Sequence, residues 1–204
     1  STSRRTRPVS ALASRWLFAA LLLPWLFAPV FALAGTNSSG YQVGFTALMR
    51  WCIFPVVTIF LILCMAAVAR AWRARKIGVA SLADTRFPAF LVSGLLTVLG
   101  FGIGAVIRGQ STMVPAHYHA SVGAITVAFM AATYHLLPSL GLTLPGGWLR
   151  RARLWQPAVY GAGMMILAAG FALAGAHGMG RKIYGAEQAA RGVAETLGLG
   201  LMGV

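Results

Sequence analysis

Two histidines, His117 and His119, stand two residues apart in Val114-Pro115-Ala116-His117-Tyr118-His119-Ala120-Ser121-Val122-Gly123, where a long apolar run begins. In a helix, residues two apart lie roughly 200° apart around the axis, so the imidazoles leave on nearly opposite sides. One helix could then ligate two separate groups. A single tetrahedral zinc does not fit, because two ligands at this spacing point apart. His117 shares a face with Ala120, Ser121, Ala124 and Ala128, and His119 with Val122, Gly123, Thr126 and Met130. These neighbours are mostly small, which predicts room for a flat macrocycle on both sides of the helix. Neutral imidazole is a common axial ligand of haem iron, so two haem irons suit the pair better. The plainer alternative is a pair of polar residues hydrogen-bonded at a helix end. Ionisable side chains within a membrane span are costly and usually placed for function, which favours ligation.

The other candidates read as structural. His135 precedes Leu136-Leu137-Pro138 and is expected to end a helix. His177 is expected at the far end of the following span, Glu187 and Glu195 in a solvated segment, and Trp148, Trp155 and Tyr160 as interfacial anchors. Cys52 and Cys64 are 12 apart in one apolar run. That is about 120° around a helix, which suits neither a disulfide nor a metal site and predicts free thiols. No phosphate-binding loop, hydrolase elbow or nucleophile–base pair is present.

Positioning these groups falls to a membrane scaffold. Of 204 residues 58% are hydrophobic and 10% charged, and the apolar residues come in runs too long for a soluble core. Seventeen Lys and Arg face three acids, Asp84, Glu187 and Glu195. The bases border apolar spans, so anionic lipid headgroups rather than nucleic acid are the expected partners. The predicted class is an all-α membrane protein of about five transmembrane helices and the start of a sixth.

Residues 1–15 form a basic N-terminus with Arg4, Arg5, Arg7 and Arg15. Residues 16–177 form the five-helix transmembrane domain. Its first span, Trp16 to Ala34, contains Pro24 and Pro29; it has the look of a signal peptide but exceeds a usual apolar core of one, which favours a helix that stays. The second, Phe45 to Ala69, carries Arg50 and a kink expected at Pro55. The third, Phe87 to Ile107, has Gly94, Gly100, Gly102 and Gly104 to permit close helix contact. The fourth is Val114 to Leu137; a basic loop from Pro138 to Arg153 leads to the fifth, Trp155 to Ala176. An outer polar segment, 178–196, precedes residues 197–204, which read as a truncated sixth span, too short to cross at about 1.5 Å per residue.

Arg4, Arg5, Arg7, Arg15, Arg70, Arg73, Arg75, Lys76, Arg86, Arg150, Arg151 and Arg153 sort to one side of such a topology, twelve of the 17 bases. The positive-inside rule makes that side, and the N-terminus, cytoplasmic. Arg50, Arg108, Arg181, Lys182 and Arg191 fall on the other, and His117 is expected at the same outer level as Arg181 and Lys182.

Ala116-His117-Tyr118-His119, a Gly- and Ala-rich run, then Tyr134-His135-Leu136-Leu137-Pro138 resemble the tenth helix of subunit I of the haem-copper oxidase superfamily. Leu173-Ala174-Gly175-Ala176-His177-Gly178-Met179-Gly180-Arg181-Lys182-Ile183-Tyr184 resembles the Leu-Ala-Gly-Met-Pro-Arg-Arg-Tyr loop after that family's eleventh helix. The resemblance runs from about residue 109 to 204 and implies the C-terminal part of a twelve-helix bundle. By it, His117 is the proximal ligand of a high-spin haem and His119 an axial ligand of a low-spin haem, with Tyr118 between them. Arg181 and Lys182 bind haem propionates, as charge-assisted hydrogen bonding makes reasonable.

The family's three copper-ligating histidines, with their His-Pro-Glu motif and His-His pair, are absent, as is the second-helix histidine of the low-spin haem. Gly109-Gln110 stand where the commonest type has His-Asp, and no lysine lies within a span. Tyr134 lies at the wrong end to be the oxidase's active-site tyrosine. The resemblance therefore implies a split oxidase catalytic subunit in a bacterial-type inner (plasma) membrane or an equivalent energy-transducing one. Two haems would be shared with a second membrane chain that supplies the copper ligands and the second low-spin ligand. Electrons would arrive from a cytochrome c or quinol side and reduce O2 to water. A nitric-oxide-reductase-like subunit and a non-catalytic haem-binding or assembly protein are the alternatives.

Overall fold

The structure is a computed structural model that describes residues 9–78, 81, 84–143, 146–182 and 192–203. Arg4, Arg5, Arg7, Ile183, Tyr184, Glu187 and Arg191 lie outside the described residues. Among the described residues the chain is helical, with five apolar stretches long enough to span a membrane: Ala11–Ala32, Ser39–Arg73, Arg86–Val106, Met113–Leu140 and Gly147–Ala176. This is an all-α, multi-pass membrane protein. It divides into two compact units, Ser1–Gly78 and Val79–Val204.

In the first unit, α1 (Ala11–Ala20) starts where Ser10 caps the backbone N–H of Ala13 at 3.1 Å. A turn at Leu21–Leu22 separates it from α2 (Leu23–Ala32), so the first stretch is two short helices rather than one. Pro24 occupies the first turn of α2, where its missing N–H costs nothing. After Ser38, which caps Tyr41 N at 3.1 Å, α3 (Ser39–Ala47) runs through a π-helical turn, Leu48–Ile53, into α4 (Phe54–Arg73). The widened turn ends just before Pro55, so the expected kink takes the form of a π-helical insertion. Pro55 has no N–H and its ring crowds the carbonyl four residues back; a wider turn relieves that clash. Cys64 is buried and Cys52 half-buried, both as free thiols.

The second unit is built on α5 (Arg86–Val106), α6 (Met113–Leu136), α7 (Gly147–Ala176) and α8 (Val193–Met202). A short 3-10 turn, Leu137–Leu140, ends α6. Helices α5 and α6 are antiparallel and in a fixed register. Ser93 donates to the Ala124 carbonyl at 2.9 Å, and the ring of His117 reaches the Gly100 carbonyl at 2.7 Å. The second contact lies seven residues further along α5 and seven residues back along α6. The core is correspondingly small-residue: Ala89, Leu96, Ala124 and Val127 form one cluster, and Ile103, Ala116, Ala120 and Ala168 another. In lipid no hydrophobic force drives helix to helix, so close van der Waals contact between small residues must do so.

Two elements differ from the sequence reading. Helix α7 begins at Gly147, eight residues before the apolar run at Trp155, because Leu149, Arg150, Arg151, Ala152 and Arg153 are good helix formers although the three arginines are not lipid-soluble. Helix α8 begins at Val193, within the segment read as polar, and buries Glu195 at 8% exposure instead of leaving it solvated. Its ten residues reach about 15 Å, half a bilayer core. It lies close on α7, where a Cβ at Gly170 would stand 2.8 Å from the Gly198 carbonyl oxygen.

Candidate functional site

The first turns of α6 carry the histidine pair, and three devices fix them. Pro115 sits in the opening turn, where helices tolerate proline. The Thr112 hydroxyl donates to the Phe171 carbonyl of α7 at 2.9 Å, and Thr112 N donates to Met179 O at 3.0 Å. Ser111 and Gly180 form an isolated antiparallel bridge, and Arg181 N donates to the Gln110 carbonyl at 3.2 Å. The start of α6 is thus clasped by the chain that follows α7. The clasp brings Arg181 and Lys182 to the end of the unit that holds His117 and His119. Lys182 adopts the left-handed conformation, φ 58°.

The imidazoles part as the spacing predicts. His117 turns toward α5, where its Nδ1 donates to the Gly100 carbonyl at 2.7 Å and its ring packs over Gly104. A Cβ at Gly104 would meet Nδ1 at 2.8 Å. His119 turns toward α7: its ring stacks on Phe171 with centroids 5.2 Å apart, and its Nδ1 donates to the Pro115 carbonyl at 2.8 Å. A carbonyl oxygen only accepts, so both Nδ1 atoms carry the hydrogen. In the neutral rings this leaves each Nε2 as the atom with a lone pair. Ligating histidines are held in this way, with the second ring nitrogen tied to a carbonyl.

Of the small residues on the two histidine faces, Ala120, Gly123 and Ala124 are buried against neighbouring helices, while Ala128 is exposed. A stripe of large side chains also stays open on α6: Tyr118, Val122, Ile125 and Phe129, each 48% to 67% exposed. At about 100° per residue this stripe lies midway between the two histidines, which flank it on either side. Tyr118 belongs to the stripe, its ring 4.6 Å from that of His119.

His177 is exposed past the end of α7, its Nδ1 bonded to Leu173 O at 2.9 Å, and His135 is exposed near the end of α6. Among the described residues no three His, Cys, Asp or Glu gather to hold a metal ion; a group held through one imidazole needs no such cluster. The sequence reading missed the contacts that set the rings, Gly100 O, Gly104 and Phe171. It named Gly100 and Gly104 only as residues for close helix approach, and nothing in Phe171 by itself distinguishes it from other apolar residues of α7.

No family model matches the chain, and neither a curated protein nor a solved structure matches it.

Proposed function

We propose that this chain contributes histidine ligands to two haems in a membrane oxidoreductase of the haem-copper oxidase type. His117 would hold the high-spin group and His119 the low-spin group, each through Nε2. The observation that carries the reading is the pair of rings tied at Nδ1 to carbonyls on opposite flanks of one exposed apolar stripe. Held there, haems would supply one-electron transfer and the reduction of O2 to water.

The chain's own residues do the positioning. Gly100 O and Pro115 O hold the rings in the ligating tautomer, and Phe171 fixes the plane of His119. Tyr118 lies beside the ring of His119, on the stripe that separates the two histidines. Arg181 and Lys182, clasped to this end of α6, supply positive charge for propionates. The histidine-copper ligands and the second low-spin ligand come from outside these 204 residues, since His135 and His177 are the only other histidines. A partner membrane chain carries them, and an electron donor docks on that assembly. The membrane is an energy-transducing one of the bacterial inner type, with the N-terminus cytoplasmic by its excess of bases.

The test is the optical spectrum of the chain isolated from native membranes with its partners. A Soret band with both high- and low-spin components is expected. His117→Ala should remove the high-spin component and O2 consumption; His119→Ala should remove the low-spin component. A colourless native complex overturns the reading, while a coloured one in which His117→Ala consumes O2 as before marks a non-catalytic haem protein. Consumption of nitric oxide in place of O2 would assign the reductase chemistry.

A further inference from the structure

At the opposite end of α6 and α7, Arg153 presents an unmet demand. Its Nε and Nη1 are both buried with no hydrogen-bond partner, and they are the buried side-chain nitrogen or oxygen atoms in that condition among the described residues. Arginine keeps its charge in proteins, so burial does not neutralise it, and a dry, unpaired guanidinium donor is costly. Nε belongs to the side-on donor pair of the fork and Nη1 to the end-on pair, so one donor on each edge lacks an acceptor. Tyr134 lies under the guanidinium, with Cζ 5.8 Å from the ring centroid, and its hydroxyl donates to Gln156 Oε1. A cation–π contact of this kind covers a face of the guanidinium and leaves its edges to other partners.

Among the described residues the chain does not supply the missing anion. Asp84 is engaged by Arg86, whose Nε donates to both carboxylate oxygens at 2.9 and 3.0 Å. Glu195 lies on α8 and has an interaction of its own. The surroundings indicate where the anion comes from. Arg150 and Arg151 are exposed on the adjoining turn, and Trp148 and Trp155 on the same stretch of α7 are 75% and 67% exposed. Exposed tryptophan and clustered arginine mark the headgroup level of a bilayer, and a guanidinium fork matches phosphate oxygens. We propose that Arg153 is the centre of a phosphate-binding site at the α6–α7 end, filled in the membrane by the headgroup of an anionic phospholipid. This site is separate from the histidine pair and does not rest on the haem reading.

The experiment titrates the full chain in detergent with phosphatidylglycerol, with phosphatidylcholine and with inorganic phosphate, and counts retained ligand by native mass spectrometry. The expected result is preferential retention of phosphatidylglycerol, weakened about tenfold or more by Arg153→Gln. Arg150→Gln and Arg151→Gln, exposed, should weaken it by less than about threefold. Saturable binding of inorganic phosphate, lost in Arg153→Gln and without lipid preference, would keep the site and assign it to the free anion. Equal retention of the two lipids with no phosphate binding overturns the proposal, as does Arg153→Gln binding like the parent. If Arg153→Gln does not fold by circular dichroism, Arg153→Lys keeps the charge but loses the fork. It must still weaken retention several-fold, and unchanged retention overturns the proposal.

Discussion

His117 donates its Nδ1 hydrogen to the carbonyl of Gly100 on the neighbouring helix, 2.7 Å away, with Gly104 one turn further on beneath the ring. The bond ties the orientation of a candidate ligand to the spacing of two helices. It also makes a glycine on α5 responsible for a ring on α6.

Gly104→Ala is therefore expected to displace His117. The added Cβ would stand 2.8 Å from Nδ1 and 2.9 Å from Cε1, closer than the ring tolerates. Overpacking of this kind costs about 1–3 kcal/mol. Gly102→Ala is the control: nothing lies within 4 Å of its added Cβ, and alanine is the better helix former by about 0.5–1 kcal/mol. Thermal unfolding in detergent should fall for the first and hold or rise for the second. In the native complex only Gly104→Ala should diminish the high-spin haem signal; equal behaviour of the two would remove the steric argument.

Phe171→Ala tests the other ring. The substitution removes the surface on which His119 stacks at 5.2 Å but leaves the bond from His119 to Pro115 O. Phe171 is half-buried, so about 1–3 kcal/mol of stability should be lost, below the range for a fully buried Phe→Ala. The low-spin signal of the native complex should broaden or shift in electron paramagnetic resonance while the high-spin signal stays. A change in the high-spin signal alone would mean the rings are not independently held.

Asp84 gives a pH dependence. Hydrogen bonds from the Arg86 guanidinium hold its carboxyl below the ordinary carboxylate range, against the opposing pull of partial burial. The folded pKa is thus below the unfolded value of about 3.9. The pair's stabilisation is complete above the unfolded pKa and is lost as pH falls through the folded one. Both side chains are substantially exposed, 52% for Arg86 and 39% for Asp84, so the effect is about 0.2–1 kcal/mol. Asp84→Asn should lower stability at neutral pH by that amount and flatten the acid limb of a stability profile. An unchanged acid limb would show the pair contributes nothing.

What the sequence made legible follows from what hydropathy measures. It located the third span, read as Phe87 to Ile107 and found as Arg86–Val106, because a lipid-soluble run and a helix coincide there. It missed the start of α7 at Gly147, because Arg150, Arg151 and Arg153 favour helix but break the apolar run that hydropathy follows. The divergence of His117 and His119 follows from helix periodicity alone. Which neighbour each ring meets does not: the alanines beside His117 could face a cofactor or another helix with the same pattern, and Ala120 and Ala124 face helices while Ala128 is exposed. Arg153 reads as one more cytoplasmic charge until its burial beside Tyr134 is seen. Burial of one residue in a basic cluster depends on the tilt and length of the partner helix, which a single sequence does not specify.

The packing of α8 on α7 yields a last expectation. Gly198 lies against Gly170 and Ala174: a Cβ there would be 2.9 Å from the Gly170 carbonyl oxygen and 2.9 Å from the Ala174 Cβ. One of these contacts is backbone, which cannot rotate away, so the helices would have to separate. Gly198→Val should therefore release α8 and expose Glu195, which is 8% exposed in the packed state. Gly200→Val is the matched control, since nothing lies within 4 Å of its added Cβ. The readout is cleavage after Glu195 by a glutamate-specific protease under native conditions. Cleavage should quicken by about tenfold or more if unpacking costs about 1–3 kcal/mol. Equal rates in the two variants would show that α8 is held by contacts other than this glycine pair.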